Sequence, residues 1–233
     1  MNMKDYNRSS QPIKKVVLMA DPTIGSIPIR ESDEALVPLV PSEHLTIDPS
    51  FGELDTRYIY VRKSVADGLY RAARTLPRDI EIRFYEGWRS RKLQERYFYE
   101  FLRTLKPLYP TATQEQLHNL ASRYVSPPWI APPHVTGAAV DLTLAFVNGP
   151  ELDMGTEINE SPEESQNRCY MDSPNITAEA RANRTLLATT LTSQGFANYP
   201  TEWWHWSKGD QYWSYVFNTK YAIYGETEPL IPY

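Results

Sequence analysis

One stretch of this chain limits its fold more than any other: Ala138 to Ala145, which reads Ala-Ala-Val-Asp-Leu-Thr-Leu-Ala. With one carboxylate among small, apolar and β-branched residues, it has the character of a strand buried in a sheet. The flanking sequence offers elements to cover that sheet. Ser64 to Leu76 sets Val65, Leu69, Ala72, Ala73 and Leu76 on one helical stripe. Ile80, Ile82 and Phe84 alternate with Glu81 and Arg83 as in a half-buried strand. Ser90 can cap a helix with Leu93, Tyr97, Phe101 and Leu105 on its apolar face, and Thr113 with Gln116 makes a capping box ahead of Leu117, Leu120 and Tyr124. Thr177 starts a further helix with Leu186, Leu187 and Leu191 inward, and Gly195 stops it. Short strands are expected over Thr56–Val61, Glu202–Trp206 and Tyr212–Phe217. Helices flanking a small, mostly antiparallel sheet make the class α+β. Residues 56–233 then form the domain, and residues 1–55, rich in Pro, Ser and charge, an extended segment draped on it.

The buried carboxylate, Asp141, points to chemistry. Pro127, Pro128, Pro132 and Pro133 extend a loop that delivers His134, and Gly137 lets the backbone turn between His134 and Asp141. A loop histidine and a strand aspartate can supply two ligands to one metal, although the pair alone also suits an ordinary histidine and a capped strand end. Catalytic zinc takes three protein ligands and keeps a position for water. The third is His205, in Thr201-Glu202-Trp203-Trp204-His205-Trp206, with Glu202 placed to take a proton from water. In a regular strand, positions i and i+3 face opposite sides. Glu202 and His205 therefore converge only through an irregularity, which Pro200 invites.

Composition removes other classes. A formal charge of −5 without clustered Lys and Arg argues against nucleic acid as a partner. Cys169 is the one cysteine, so no internal disulfide forms, and with no base beside it a nucleophilic role is not expected. After Lys14 and Lys15, the apolar run Val16 to Ala20 is too short for a leader core or a membrane span, so a cytoplasmic chain with no membrane partner is expected. Phe146 to Ile176 is a long loop whose carboxylates lack calcium-loop spacing; a solvated, flexible lid is the expectation.

Several pieces in order, Glu86-Gly87-Trp88-Arg89, His134 to Leu144, Asp153-Met154-Gly155, Gly195 to Tyr199 and Glu202 to His205, resemble the zinc D-alanyl-D-alanine dipeptidases of the VanX type, within the zinc D,D-peptidase group. The resemblance covers roughly residues 56–217. It implies one zinc ion on His134, Asp141 and His205, Glu202 as general base and acid, and Arg89 holding the substrate carbonyl. It also implies a small peptide substrate, D-Ala-D-Ala first, in the turnover of cell-wall peptides. Two departures stand out. Pro132 and Pro133 replace serines that usually precede the first histidine, and Asn159 occupies the position of an aspartate that binds the dipeptide's amino group. They leave open a zinc D,D-carboxypeptidase acting on longer cell-wall peptides. A non-catalytic, zinc-stabilised binding domain is the reading from another class, and Glu202 speaks against it, since a structural site has no use for an unliganded carboxylate.

Overall fold

In the computed structural model, which describes residues 16–51 and 55–230, the run around Asp141 lies at the centre of a five-stranded sheet. The parts of the N-terminal segment within 1–15 and 52–54, Lys14 and Lys15 among them, lie outside the described residues, as do residues 231–233. In chain order come α1 (Pro22–Gly25), β1 (Leu36–Pro38), β2 (Leu45–Ile47), β3 (Tyr60–Arg62), α2 (Lys63–Ala73), β4 (Ile80–Glu86), α3 (Arg91–Leu108) and α4 (Gln114–Ala121). Then follow β5 (Ala139–Phe146), α5 (Ala178–Thr192), β6 (Ala197–Asn198), β7 (His205–Ser207) and α6 (Gln211–Val216). The sheet order is β2-β4-β5-β7-β6, with β2 parallel to β4 and the other neighbours antiparallel; β1 pairs with β3 apart from it. The class is α+β with a mostly antiparallel sheet.

Alternation along β5 splits its side chains between two environments. Val140, Leu142 and Leu144 enter the main core with Ile82 and Phe84, and there they meet the α2 stripe and Leu187 and Leu191 of α5. Each such side chain, fully buried, contributes roughly 1.5–3 kcal/mol. Asp141 faces away from that core into a cleft whose opposite wall includes α3 residues. The expected caps are present: the hydroxyls of Ser90, Thr113 and Thr177 accept from the amides of Leu93, Gln116 and Ala180.

A smaller core of Phe98, Leu105, Leu117, Ala121 and Val125 joins α3 to α4. Phe98 fills it, so Tyr97 and Phe101, expected on the buried face, are half-buried and line the cleft. Two further expectations change. Residues 56–59 form a 3₁₀ turn ahead of β3, begun by the Asp55 side chain on the Arg57 amide. The run expected as a strand over 212–217 is the helix α6, because Asp210 caps it by accepting from the Trp213 amide at 2.7 Å. No helix among the described residues is long and apolar enough to cross a membrane.

The long loop between β5 and α5 is not the solvated flap its acidity suggests. Met154 and Cys169 are buried in the main core, and Cys169's burial pushes its thiol up to about 11. Arg184 of α5, itself buried, donates to the carbonyls of Met154, Arg168 and Tyr170 at 2.7–2.9 Å. Burial pushes that guanidinium down to about 10. The loop in turn supports its neighbours, because the Cys169 carbonyl accepts from Trp203 N at 3.0 Å. Arg184→Met orphans the carbonyls it serves, a cost of about 1–3 kcal/mol for each one left buried. The variant is expected to lose stability in urea and to speed amide exchange across the loop first; exchange unchanged there would show that Arg184 does not hold it.

Candidate metal centre

The centre is assembled from one row across three strands. Glu86 of β4 lies opposite Asp141 of β5, and Asp141 lies opposite His205 of β7. Paired residues on one sheet face sit close together, so two buried carboxylates are neighbours and each requires its own countercharge. Arg89 answers Glu86: its Nε donates to Oε1 at 2.8 Å and its Nη2 to Oε2, while Nη1 donates to Gln94 Oε1 at 2.8 Å. Tyr97 covers the guanidinium face at 4.7 Å. Among the described residues, three of the five guanidinium N–H groups are thereby engaged and two remain.

Asp141 is answered by the two histidines. His134 sits in a 3₁₀ turn, Pro133–Thr136, whose prolines pre-set the backbone, and which ends at Gly137 with φ +71°. A Cβ on Gly137 would stand 2.2 Å from Leu36 Cδ2, so glycine is required by both conformation and space. His134 Nδ1 lies 2.7 Å from the Gly87 carbonyl, which makes Nδ1 the donor and turns the Nε2 lone pair inward. That Nε2 is 3.2 Å from Asp141 Oδ2 and 3.2 Å from His205 Nδ1, and His205 Nδ1 is 3.1 Å from Asp141 Oδ1. Lone pairs of two imidazoles and a carboxylate converging in a buried space repel one another unless a cation lies among them. The three ligand atoms lie within 4.8 Å of one another, and the donor set of two imidazoles and one carboxylate suits a divalent transition metal. Burial alone would raise the Asp141 pKa; attraction and hydrogen bonds from His134 and His205 outweigh it and hold the carboxyl below its usual range. Burial pushes His205 downward, which favours the neutral imidazole a metal needs.

Glu202 reaches the same space without joining the row. It precedes β7 in a turn where its amide donates to Tyr199 O at 3.0 Å and its carbonyl accepts from His205 N at 3.3 Å. This turn is the irregularity that lets positions 202 and 205 converge; the carboxylate Oε2 stands 3.8 Å from His205 Nδ1. Burial, and then the charge of Asp141, push the Glu202 pKa well above the usual carboxylate range, with Arg89 partly opposing.

The five residues singled out in the sequence, Arg89, His134, Asp141, Glu202 and His205, all line one cleft of about 230 Å³, with Asn159 on its rim. The Asn159 carbonyl accepts from the Tyr124 hydroxyl at 2.6 Å. Sequence reasoning missed Glu86, Gln94 and Tyr97. Glu86 stands in the same motif as Arg89, three residues before it, and that spacing was the available signal; Gln94 and Tyr97 carried none.

A family model described as D-ala-D-ala dipeptidase matches residues 53–224 of this chain. A D-alanyl-D-alanine dipeptidase of Synechocystis sp. is 39% identical over 114 residues, which cover 43% of this chain and 46% of the relative. One of Escherichia coli is 36% identical over 83 residues, 36% of this chain and 41% of the relative. The chain thus spans less than half the length of these curated relatives. Among solved structures, the LdcB LD-carboxypeptidase is similar at a TM-score of 0.42 and 19% identity, over 83% of this chain and 76% of that one.

Incubated with zinc and then dialysed, the protein is expected to retain one equivalent of metal by plasma mass spectrometry. Asp141→Ala is expected to retain little while keeping its far-ultraviolet dichroism. A full equivalent in that variant would place the metal elsewhere.

Proposed function

This chain belongs to the D-ala-D-ala dipeptidase family, and from that premise we propose that it is a zinc peptidase hydrolysing a short D-amino-acid peptide, D-Ala-D-Ala first among them. His134, Asp141 and His205 would hold the ion, which when bound lowers the pKa of water and polarises a carbonyl. The observation that carries the reading is Glu202: a buried carboxylate 3.8 Å from a ligand nitrogen, outside the ligand set, with raised proton affinity. Such a group takes a proton from the attacking water, holds it within the cleft, and delivers it to the leaving amine.

Arg89 acts on the other side of the scissile bond. Its two remaining N–H groups are available to the substrate carbonyl oxygen as negative charge grows there, and Glu86 and Gln94 keep the fork from following the substrate. A fixed donor of this kind lowers a barrier by about 2.7–4 kcal/mol. The small cleft fits a short peptide. A cytoplasmic role in turning over cell-wall precursors or fragments accords with a free dipeptide as substrate.

A second reading has one observation in its favour. Asn159 on the cleft rim cannot pair with a substrate ammonium as a charged partner, which fits a D,D-carboxypeptidase working on longer peptides whose amino end lies elsewhere.

Glu202→Gln is expected to keep its zinc and to lose hydrolysis by roughly 10²–10⁴-fold, the usual contribution of a general base, as measured by mass spectrometry of products from D-Ala-D-Ala, L-Ala-L-Ala, N-blocked D-Ala-D-Ala and a muramyl pentapeptide. Normal turnover by that variant would sink the mechanism. Cleavage of the blocked or longer peptides would select the carboxypeptidase. In a dipeptidase, Asn159→Asp is expected to lower KM for the free dipeptide by up to about tenfold, a gain of 1.4 kcal/mol, and to leave the blocked peptide unaffected. An equal change for both would remove Asn159 from the amino-group site.

A further inference from the structure

His205 turns Nδ1 toward Asp141 and His134, and its other ring nitrogen, Nε2, is buried with no hydrogen-bond partner among the described residues. The same holds for Oδ2 of Asp210. One is a donor and the other an acceptor. Their placement follows from the strand. His205 and Ser207 are two apart on β7 and so point to the same face. The Ser207 side chain hydrogen-bonds Asp210, which brings that carboxylate to the face from which His205 projects. Gly209, at φ +99°, makes the turn that folds Asp210 back; a Cβ there would stand 2.4 Å from the Tyr224 ring.

Asp210 is 1% exposed, and the ionisable side chains that act on it are those of His205 and His134. Its Oδ1 is occupied as the cap of α6, accepting from Trp213 N at 2.7 Å. Oδ2 is thus a surplus acceptor, and a helix cap alone does not account for a carboxylate, since serine or asparagine caps as well. A buried carboxylate is costly unless something compensates its charge.

We propose that Asp210 is a positioning residue for the metal centre: Oδ2 accepts a hydrogen bond from the Nε2–H of His205, relayed through one water, and so presents the Nδ1 lone pair to the ion. An imidazole with a free choice of tautomer spends part of its time with a proton on the liganding nitrogen; a carboxylate behind it removes that choice and makes the ligand more basic. The inference rests on the metal-site part of the reading above and is independent of the substrate.

The test uses Asp210→Ser, which keeps an oxygen to cap α6 but is too short to reach His205. Zinc affinity of the wild-type protein, measured by competition with a chromophoric chelator, comes first; no binding there would defeat the metal reading itself. Given wild-type binding, Asp210→Ser is expected to weaken zinc by about 10–100-fold. In the zinc-free variant, nitrogen-15 spectra are expected to show His205 moving from a single Nε2–H tautomer to a mixture, with the melting temperature little changed. Unaltered affinity overturns the proposal, and so does weakened affinity with an unaltered His205 tautomer, which would mark a structural role. If Asp210→Ser does not fold, Asp210→Asn answers the same question: it caps and fills the space without the charge, and its zinc affinity and tautomer are judged by the same two criteria.

Discussion

Everything near the cleft depends on two carboxylates, Glu86 and Asp141, held side by side on neighbouring strands in a dry interior. Water cannot screen them there, and like charges at cross-strand distance repel. The fold answers each from a different direction. Arg89 arrives from the end of β4 to take Glu86 in a two-point pairing, and the imidazoles of His134 and His205 close on Asp141 with room for an ion. The consequence is functional as well as structural. An arginine pinned by Glu86 and Gln94 is a rigid donor, and a carboxylate surrounded by imidazoles is held in its charged, ligating form.

The surrounding elements can be understood as supports for that row. Gly87 lets the motif loop pass against β3, where a Cβ would stand 2.6 Å from the Tyr60 carbonyl, and its own carbonyl fixes the ring of His134. The long loop, gathered by Arg184, packs Cys169 into the core and holds the turn that carries Glu202. The α3–α4 pair has a separate small core and forms the opposite wall. Rigid placement of donors and bases before substrate arrives is what makes such groups effective, because little reorganisation remains for the reaction itself.

Much of the site was legible because its residues lie in short motifs whose spacing has a local reason. A glycine between His134 and Asp141 marks a tight turn, and a carboxylate three residues before His205 marks a base if the strand begins late. The helices α2, α4 and α5 followed from stripes and caps for the same reason: both are local properties of a few consecutive turns. The α6 segment departs from the strand expected there because Gln211 to Val216 is short, and alternation and helical periodicity cannot be told apart over six residues; the cap at Asp210 decides it. The acidic loop is packed more firmly than its charge suggests because its anchor, Arg184, lies in the following helix and looks like a surface charge in the sequence.

By itself, then, the sequence determined the class of fold, the main helices and the identity of the residues that meet in the cleft, since patterning and motif spacing act over a few residues. Tertiary structure alone decided what those residues are able to do. Which carboxylate Arg89 pairs with, which imidazole nitrogen faces inward, how far Glu202 rises in proton affinity, and that Asp210 stands behind His205 all depend on strand register and burial. These are long-range properties: each sets a charge or a proton by bringing together groups that are far apart along the chain and excluding the water that would screen them.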